Sequence, residues 1–257
     1  MSMRSWLRLT TSSEPVSSSD PPVGEPYSLL ADYYNRGWSE YSTYVAELIG
    51  QLERESRRRF GRVLDCACGT GLLLGELDDG TRHLVGFDRS ETMLAKARAA
   101  FPQLTWLHGE LAGAFPTDER FDLVVSVFDS LNYLLEVSQL QTFFRSAVAA
   151  LDERGALVCD LNSELMYHGL DGARRLRTIG GVAIVEEVAV VSSDPLLAST
   201  RFTIDGRREE HLQRAWDSGT VERCMNEAGL RLVDTLDVID AGDGYPSGKV
   251  VYIASTM

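Results

Sequence analysis

The stretch Val63-Leu64-Asp65-Cys66-Ala67-Cys68-Gly69-Thr70-Gly71 constrains this chain more than any other. A short apolar run ends in an acid and then in a Gly-x-Gly turn, and the helical spacing of Leu72–Leu77 follows. That order reads as a buried strand feeding a tight turn and a helix. Glycine at 69 and 71 lets the backbone pass close to a ligand with no Cβ in the way. The helix beyond presents unpaired amides and a partial positive charge. A phosphate-binding turn exploits that charge. Here Asp65 stands at the strand end, where a carboxylate repels a diphosphate and attracts an ammonium or a sulfonium. The competing reading is a turn that binds nothing, and Asp65 weighs against it.

The rest of the chain repeats the pattern. An amphipathic helix from Tyr41, carrying Tyr44, Val45, Leu48, Ile49 and Leu52 at helical spacing, precedes the first strand. Apolar runs recur at 83–87, 104–107, 123–128 and 156–161, with helical stretches at 91–100 and 139–151 between them. Ser138 with Gln141 fits a capping box for the last of these, and Gly155 fits a left-handed turn after it. Strands alternating with helices of this length predict an α/β fold, a doubly wound and mostly parallel sheet covered on both faces. From 173 to 216 the pattern changes to extended segments, 182–191, 198–204 and 209–216, with Asp205-Gly206 as a hairpin turn. This predicts a small antiparallel insertion of three or so strands. A helix over 220–228, stopped by Gly229, then leads into a closing antiparallel hairpin, 230–239 and 249–255. Residues 1–26, rich in Ser and Pro, bury too little apolar surface to offset their ordering entropy and are expected to be a mobile tail before a domain over 27–257.

Composition removes several classes of function. Lys plus Arg number 25 against 38 Asp plus Glu, a net charge of −13, which disfavours a nucleic-acid footprint built on cationic side chains. Four scattered cysteines and four scattered histidines give neither a disulfide framework nor metal-ligand spacing. No signal-peptide order and no long apolar span is present, so a cytoplasmic protein with no membrane contact is expected.

Two further acids fall in line with Asp65. Asp88 ends the second predicted strand, and in a doubly wound sheet an acid there can accept both hydroxyls of a ribose. Alternatively Asp88 or Ser90 caps the helix that begins at Glu91. Glu110, after the third strand, can accept from an adenine amino group, with Leu111 and Met93 against the ring.

These residues resemble a known family, the class I S-adenosylmethionine-dependent methyltransferases. The matching pieces are Leu64 to Gly71, Phe87-Asp88-Arg89-Ser90 with Met93-Leu94, Gly109-Glu110-Leu111, and Phe121-Asp122-Leu123-Val124-Val125. The run 127–134 and the strand insertion look like the small-molecule N-methyltransferases that act on glycine or amino sugars. The resemblance implies a Rossmann-like fold, with the insertion over the active site. The implied cofactor is S-adenosyl-L-methionine, leaving S-adenosyl-L-homocysteine. For the cofactor it implies Asp65, Gly69 and Gly71 at the methionine half, Asp88 at the ribose, Met93, Glu110 and Leu111 at the adenine, and the backbone of Val127 and Phe128 at the amino group, with Ala67, Arg89 and Tyr27 also in contact with it. Tyr27, Tyr33 and Tyr34 are alternatives for the tyrosine that closes over the sulfonium. Tyr133 would face the acceptor, so Tyr133 and Tyr33 stand as catalytic candidates, with Asn132, Asn162 and His168 lining the acceptor mouth; His211 is a weaker candidate for handling a proton. Cys66-Ala67-Cys68 departs from the family in having Ala where many members carry Gly, and both cysteines read as small buried residues.

The implied reaction is methyl transfer to a small molecule, on nitrogen by preference, with no metal, by a monomer or homodimer. Transfer to oxygen or carbon, a peptide acceptor, and a binding module without turnover stay open. A nicotinamide dinucleotide site is opposed by Asp65 and by Gly75, one residue late for that fingerprint.

Overall fold

A computed structural model of the chain describes residues 23–238 and 248–257. The N-terminal part carries β1 (Val23–Gly24), α1 (Tyr34–Gly37) and α2 (Ser39–Ser56). The alternating region follows as β2 (Arg62–Cys66), α3 (Leu72–Leu77), β3 (His83–Asp88), α4 (Glu91–Ala100) and β4 (Thr105–His108). It continues through β5 (Phe121–Ser126), α5 (Val137–Ala150), β6 (Leu151–Asn162) and α6 (Glu164–Leu170). Four strands come next, β7 (Arg174–Ile179), β8 (Val182–Ser193), β9 (Leu196–Ile204) and β10 (Arg207–Arg214), then α7 (Ser218–Ala228), β11 (Leu230–Val238) and β12 (Lys249–Thr256).

The main sheet has the order β11-β12-β6-β5-β2-β3-β4, parallel from β6 to β4 and antiparallel where β12 meets β6 and β11. Side chains alternate across each parallel strand and feed two cores. Leu64, Cys66, Phe87, Val124, Leu157 and Cys159 point to the side of α5 and α7, where Phe143, Phe144 and Trp216 are buried. Val63, Leu84, Leu123, Val125 and Val158 point to the other side, packed with Val45 and Ile49 of α2 and Leu94 of α4. Each such side chain fully buried contributes about 1.5–3 kcal/mol. Strands β2 to β4 run outward and the chain then returns to β5, so ordering reverses between β2 and β5, the position at which open sheets bind ligands.

The second sheet, β1-β10-β9-β8-β7, is antiparallel except where β1 runs parallel to β10. Its hairpin turn carries Asp205 at φ 48° and Gly206 at φ 74°, the left-handed pair a two-residue hairpin requires. The insertion contributes four strands rather than three, because the charged run Arg174–Ile179 pairs with β8 despite its weak apolar signal, and β1 adds a fifth from the N-terminal segment.

Three local expectations need correction. The capping box of α5 lies earlier, with the Gln139 side chain accepting from the Glu136 amide at 3.0 Å. Gly155 is no helix stop: the chain enters β6 directly at Leu151, and Gly155 sits in an irregular stretch where a Cβ would lie 2.9 Å from the Asp152 carbonyl oxygen. Finally, the expected mobile tail 1–26 is ordered from Val23, whose backbone and that of Gly24 pair with Arg208 and Glu209; residues 1–22 lie outside the described residues, as does the loop 239–247. Among the described residues no helix is long and apolar enough to cross a membrane.

Candidate active site

At the carboxyl edge of the main sheet a cavity of about 1050 Å³, its mouth included, opens beside the ends of β2, β3 and β5, with Pro26, Tyr27 and Tyr34 of the N-terminal segment among its walls.

Strand β2 delivers Asp65, only 2% exposed. Burial, and behind it the charge of Asp88, pushes its carboxyl up to about 8. No hydrogen bond or cation offsets that burial among the described residues, so the Asp65 carboxyl is a socket that a cation would relieve. Asp88 ends β3 and fastens the glycine turn: one carboxylate oxygen accepts from the Gly69 amide and the other from the Ser90 amide, each at 2.8 Å. Burial still pushes its carboxyl up, against the lowering pull of those amides. Capping of α4 falls to Ser90, whose hydroxyl accepts from the Met93 amide at 3.3 Å.

The two turn glycines do different work. Gly69, at φ 56°, lines the cavity, and a Cβ there would meet only the Met93 methyl at 3.4 Å. Gly71 does not line it; at φ 79° its missing Cβ makes room for Trp106, whose ring would lie 2.4 Å away. Ala67 adopts φ 61°, a conformation that costs a non-glycine residue about 1–2 kcal/mol. Replacing Ala67 by Gly removes that strain and adds unfolded-chain entropy of about 0.4–1 kcal/mol. A net stabilisation of up to about 1 kcal/mol is expected, read as a raised urea midpoint at unchanged slope. Both neighbouring cysteines are buried thiols, raised in pKa by that burial.

Arg89, Met93, Glu110 and Leu111 line the cavity. Val127 and Phe128 line it after β5, where the backbone is unusual: Phe128 and Asp129 are both left-handed, at φ 63° and 50°. Asp160, fully buried on β6, holds this turn by accepting from the Phe128 amide at 2.8 Å and the Asp129 amide at 2.5 Å. Tyr41 donates to the same carboxylate at 2.7 Å, and Lys249 pairs with Asp129 at 2.8 Å and Asp160 at 3.5 Å. Burial works to lower the Lys249 ammonium, but Asp129 and Asp160 more than offset it and hold its pKa above the ordinary lysine range.

Three tyrosines complete the walls. The Tyr27 and Tyr133 hydroxyls lie 3.1 Å apart, Tyr34 meets Tyr27 edge-on with ring centres 5.9 Å apart, and Tyr34 packs near Phe128. Thr70 bonds Asn35, linking the glycine turn to the N-terminal segment.

Several expected site residues are elsewhere. Tyr33 packs into the apolar cluster of Leu29, Leu30, Ile184 and Phe202 beneath the second sheet. Asn132 is buried and structural: its amide donates to the carbonyls of Asn162 and Arg214 at 2.9 and 2.7 Å and accepts from the Asn162 amide at 2.9 Å. Asn162, one pleat beyond Asp160, faces Tyr167 rather than the cavity. His168 is exposed, because α6 turns Met166, Tyr167 and Leu170 inward. Conversely, Asp160, Glu209 and Gln213 went unrecognised. Glu209, His211 and Gln213 stand at alternate positions of β10 and are all buried, a period of two in polar residues that is visible in Glu209-Glu210-His211-Leu212-Gln213.

Residues 63–155 match the family described as "Methyltransferase domain". A putative methyltransferase of Bacillus subtilis (strain 168) is 34% identical over 183 residues, covering 67% of this chain and 74% of its own. The chain belongs to the class I methyltransferases, which take their methyl group from S-adenosylmethionine. The likeness to other methyltransferases extends beyond the matched domain. A sugar methyltransferase of Streptomyces venezuelae, named for N,N-dimethylation of dTDP-3-amino-3,4,6-trideoxy-alpha-D-glucopyranose, is 26% identical over 230 residues, 86% of this chain and 93% of that one. Among solved structures, an S-adenosylmethionine-dependent methyltransferase from Clostridium acetobutylicum shares the fold at a TM-score of 0.76 and 21% identity, over 90% of this chain and 98% of that one. In a methyltransferase the relieving cation has a ready identity: the buried Asp65 carboxyl and the open cradle at Gly69 fit a cationic amino-acid and sulfonium cofactor.

Proposed function

We propose that this methyltransferase acts on an amine nitrogen of a small molecule, in the manner of the amino-sugar N-methyltransferases of natural-product biosynthesis. The observation that carries the reading is the pair of tyrosyl hydroxyls, Tyr27 and Tyr133, 3.1 Å apart in a cavity walled by the N-terminal segment. A roofed, hydroxyl-lined space suits a compact polar acceptor better than a protein surface. The likeness to the sugar N,N-dimethyltransferase along nearly all of that enzyme's length supports nitrogen over oxygen or carbon.

When bound, S-adenosylmethionine supplies an electrophilic methyl carbon on a sulfonium. Asp65 neutralises the cationic methionine half, Asp88 accepts from the ribose hydroxyls, and Glu110 accepts from the adenine amino group beside Met93 and Leu111. The backbone of Val127 and Phe128, held by Asp160, receives the amino group. Tyr27 closes over the methyl, where a phenolic oxygen offers weak C–H···O contacts worth about 0.5–1 kcal/mol each. Tyr133 orients the acceptor, and such alignment in general lowers a barrier by up to about 7–11 kcal/mol.

Asp88→Ala is expected to weaken cofactor binding by about 1–3 kcal/mol through lost charge-assisted hydrogen bonds, read by calorimetric titration. Unchanged affinity would remove Asp88 from the ribose site. The acceptor class is tested by mass spectrometry of small amines, alcohols and carbon acids incubated with enzyme and donor. Amine-dependent formation of S-adenosylhomocysteine with matching methyl gain is expected; methylation confined to alcohols or carbon acids would overturn the nitrogen reading.

A further inference from the structure

Behind Tyr133 lies a buried polar chain that the cofactor site does not use. The Tyr133 hydroxyl is 2.6 Å from His211 Nδ1, and His211 Nε2 is 2.9 Å from one carboxylate oxygen of Glu209. The other Glu209 oxygen accepts from the Leu29 amide at 2.6 Å and the Leu30 amide at 3.2 Å. Glu209 is fully buried and His211 is 2% exposed. Burial works to raise the Glu209 carboxyl, and His211 with the two amides more than offsets it, so Glu209 stays ionised.

A relay with a neutral imidazole requires one arrangement of protons, which this geometry accommodates. An ionised carboxylate only accepts, so His211 Nε2 is the donor. The Nδ1 of a neutral imidazole then accepts, Tyr133 donates to it, and Tyr27 donates to the Tyr133 oxygen. One lone pair of that oxygen is left for the cavity. Around the ring stand Glu209 on its own strand, Tyr133 from the 3-10 turn Ser130–Tyr133, Tyr27 from the N-terminal segment, and the uncharged edge of Phe202 on β9; Asp129 acts on both tyrosines through its charge.

We infer that Tyr133, His211 and Glu209 form a proton relay that accepts the proton an amine acceptor must shed. The arrangement repeats the logic of a carboxylate, imidazole and hydroxyl in series, with the tyrosyl oxygen facing substrate. As the acceptor N–H bond breaks, its electron pair stays on nitrogen and the proton passes to the Tyr133 oxygen. The original Tyr133 proton moves to His211 Nδ1, and the imidazolium is neutralised by Glu209 until the proton leaves to water with product. Burial, Tyr27 and Asp129 push the Tyr133 phenol well above its ordinary range, so it works as a neutral hydroxyl that receives and donates at once. Tyr133 is the catalytic residue here; His211 and Glu209 are positioning residues that act through it.

The inference rests on the amine reading, and the test separates the two. Donor affinity, kcat and KM are measured from pH 6 to 9.5 for the native enzyme, Tyr133→Phe, His211→Gln and the double variant, with an amine that the native enzyme methylates. Each single variant is expected to lose about a hundredfold in kcat near pH 7, with donor affinity within about twofold. The loss should shrink as pH rises and the amine deprotonates without help, and the double variant should be no worse than the singles, as for groups acting in one unit. Nitrogen-15 NMR of the native protein, free and donor-bound, reads the tautomer independently of activity and of variant folding: His211 Nδ1 should be unprotonated. Native rates in the variants, a loss equal at every pH, additive losses, or a proton on Nδ1 would each overturn the relay while sparing the amine reading. A native enzyme that methylates no amine would overturn both.

Discussion

Replacing Asp65 by Asn is expected to make the cofactor-free protein more stable than the native one, by a margin that depends on pH in a specified way. The folded-state carboxyl titrates at about 8, against about 4 in an unfolded chain. Between those values the folded protein retains a proton that the unfolded chain has released, so the native contribution to stability falls as pH rises. Asn does not titrate. The advantage of the variant should therefore grow between pH 4 and 8, by up to about 1.4 kcal/mol per pH unit, and stay constant above 8. Urea unfolding of both proteins across this range, without cofactor, checks the sign and the plateau. The same substitution should weaken S-adenosylmethionine, because the socket loses the charge that made it unstable when empty. A site that holds strain until its ligand arrives is the ordinary compromise between stability and function.

Asp160→Ala should have the opposite effect on stability. It removes the acceptor for two amides in the left-handed turn and leaves the Tyr41 hydroxyl unpartnered. Lys249 keeps Asp129 and loses its second carboxylate. Breaking a buried charged network from one side typically costs about 3–5 kcal/mol. For a domain of this size that corresponds to a melting temperature lower by about 6–20 °C. Cofactor affinity should fall as well, because Val127 and Phe128 wall the cavity. A loss below about 1 kcal/mol with native affinity would show that the turn holds itself.

How far the sequence carried this reading depends on the reach of the interactions concerned. The parallel sheet and its helices were legible because alternation of apolar runs is a local signal that burial on both faces enforces, and α3 and α4 fall at the expected residues. Asp65, Asp88 and Gly69 were legible because strand ends at a switch point converge whatever the loops do. The packing role of Gly71 is invisible in the turn itself because Trp106, which occupies the missing Cβ position, is thirty-five residues away. Asn132 and Asn162 are polar residues beside the strand ends, yet the Asn132 side chain satisfies both backbone groups of Asn162, and the Asn162 amide points to Tyr167. The sequence could not separate the three tyrosines either: all three pack against the apolar cluster under the second sheet, and only Tyr27 and Tyr34 also line the cavity. Glu209 carries no such local signal, because its partners are the Leu29 and Leu30 amides, some 180 residues away.

Titrating S-adenosylmethionine into the native protein and into Asp65→Asn at pH 7, in two buffers of different ionisation enthalpy, goes to the heart of the matter. A carboxyl that titrates at about 8 is mostly protonated at that pH, so native binding should be tight and should release close to one proton to the buffer, while the variant binds weakly and releases none from this site. Equal affinities with no difference in proton release would mean that the buried acid does not receive the cofactor's charge, and the site described here would be wrong.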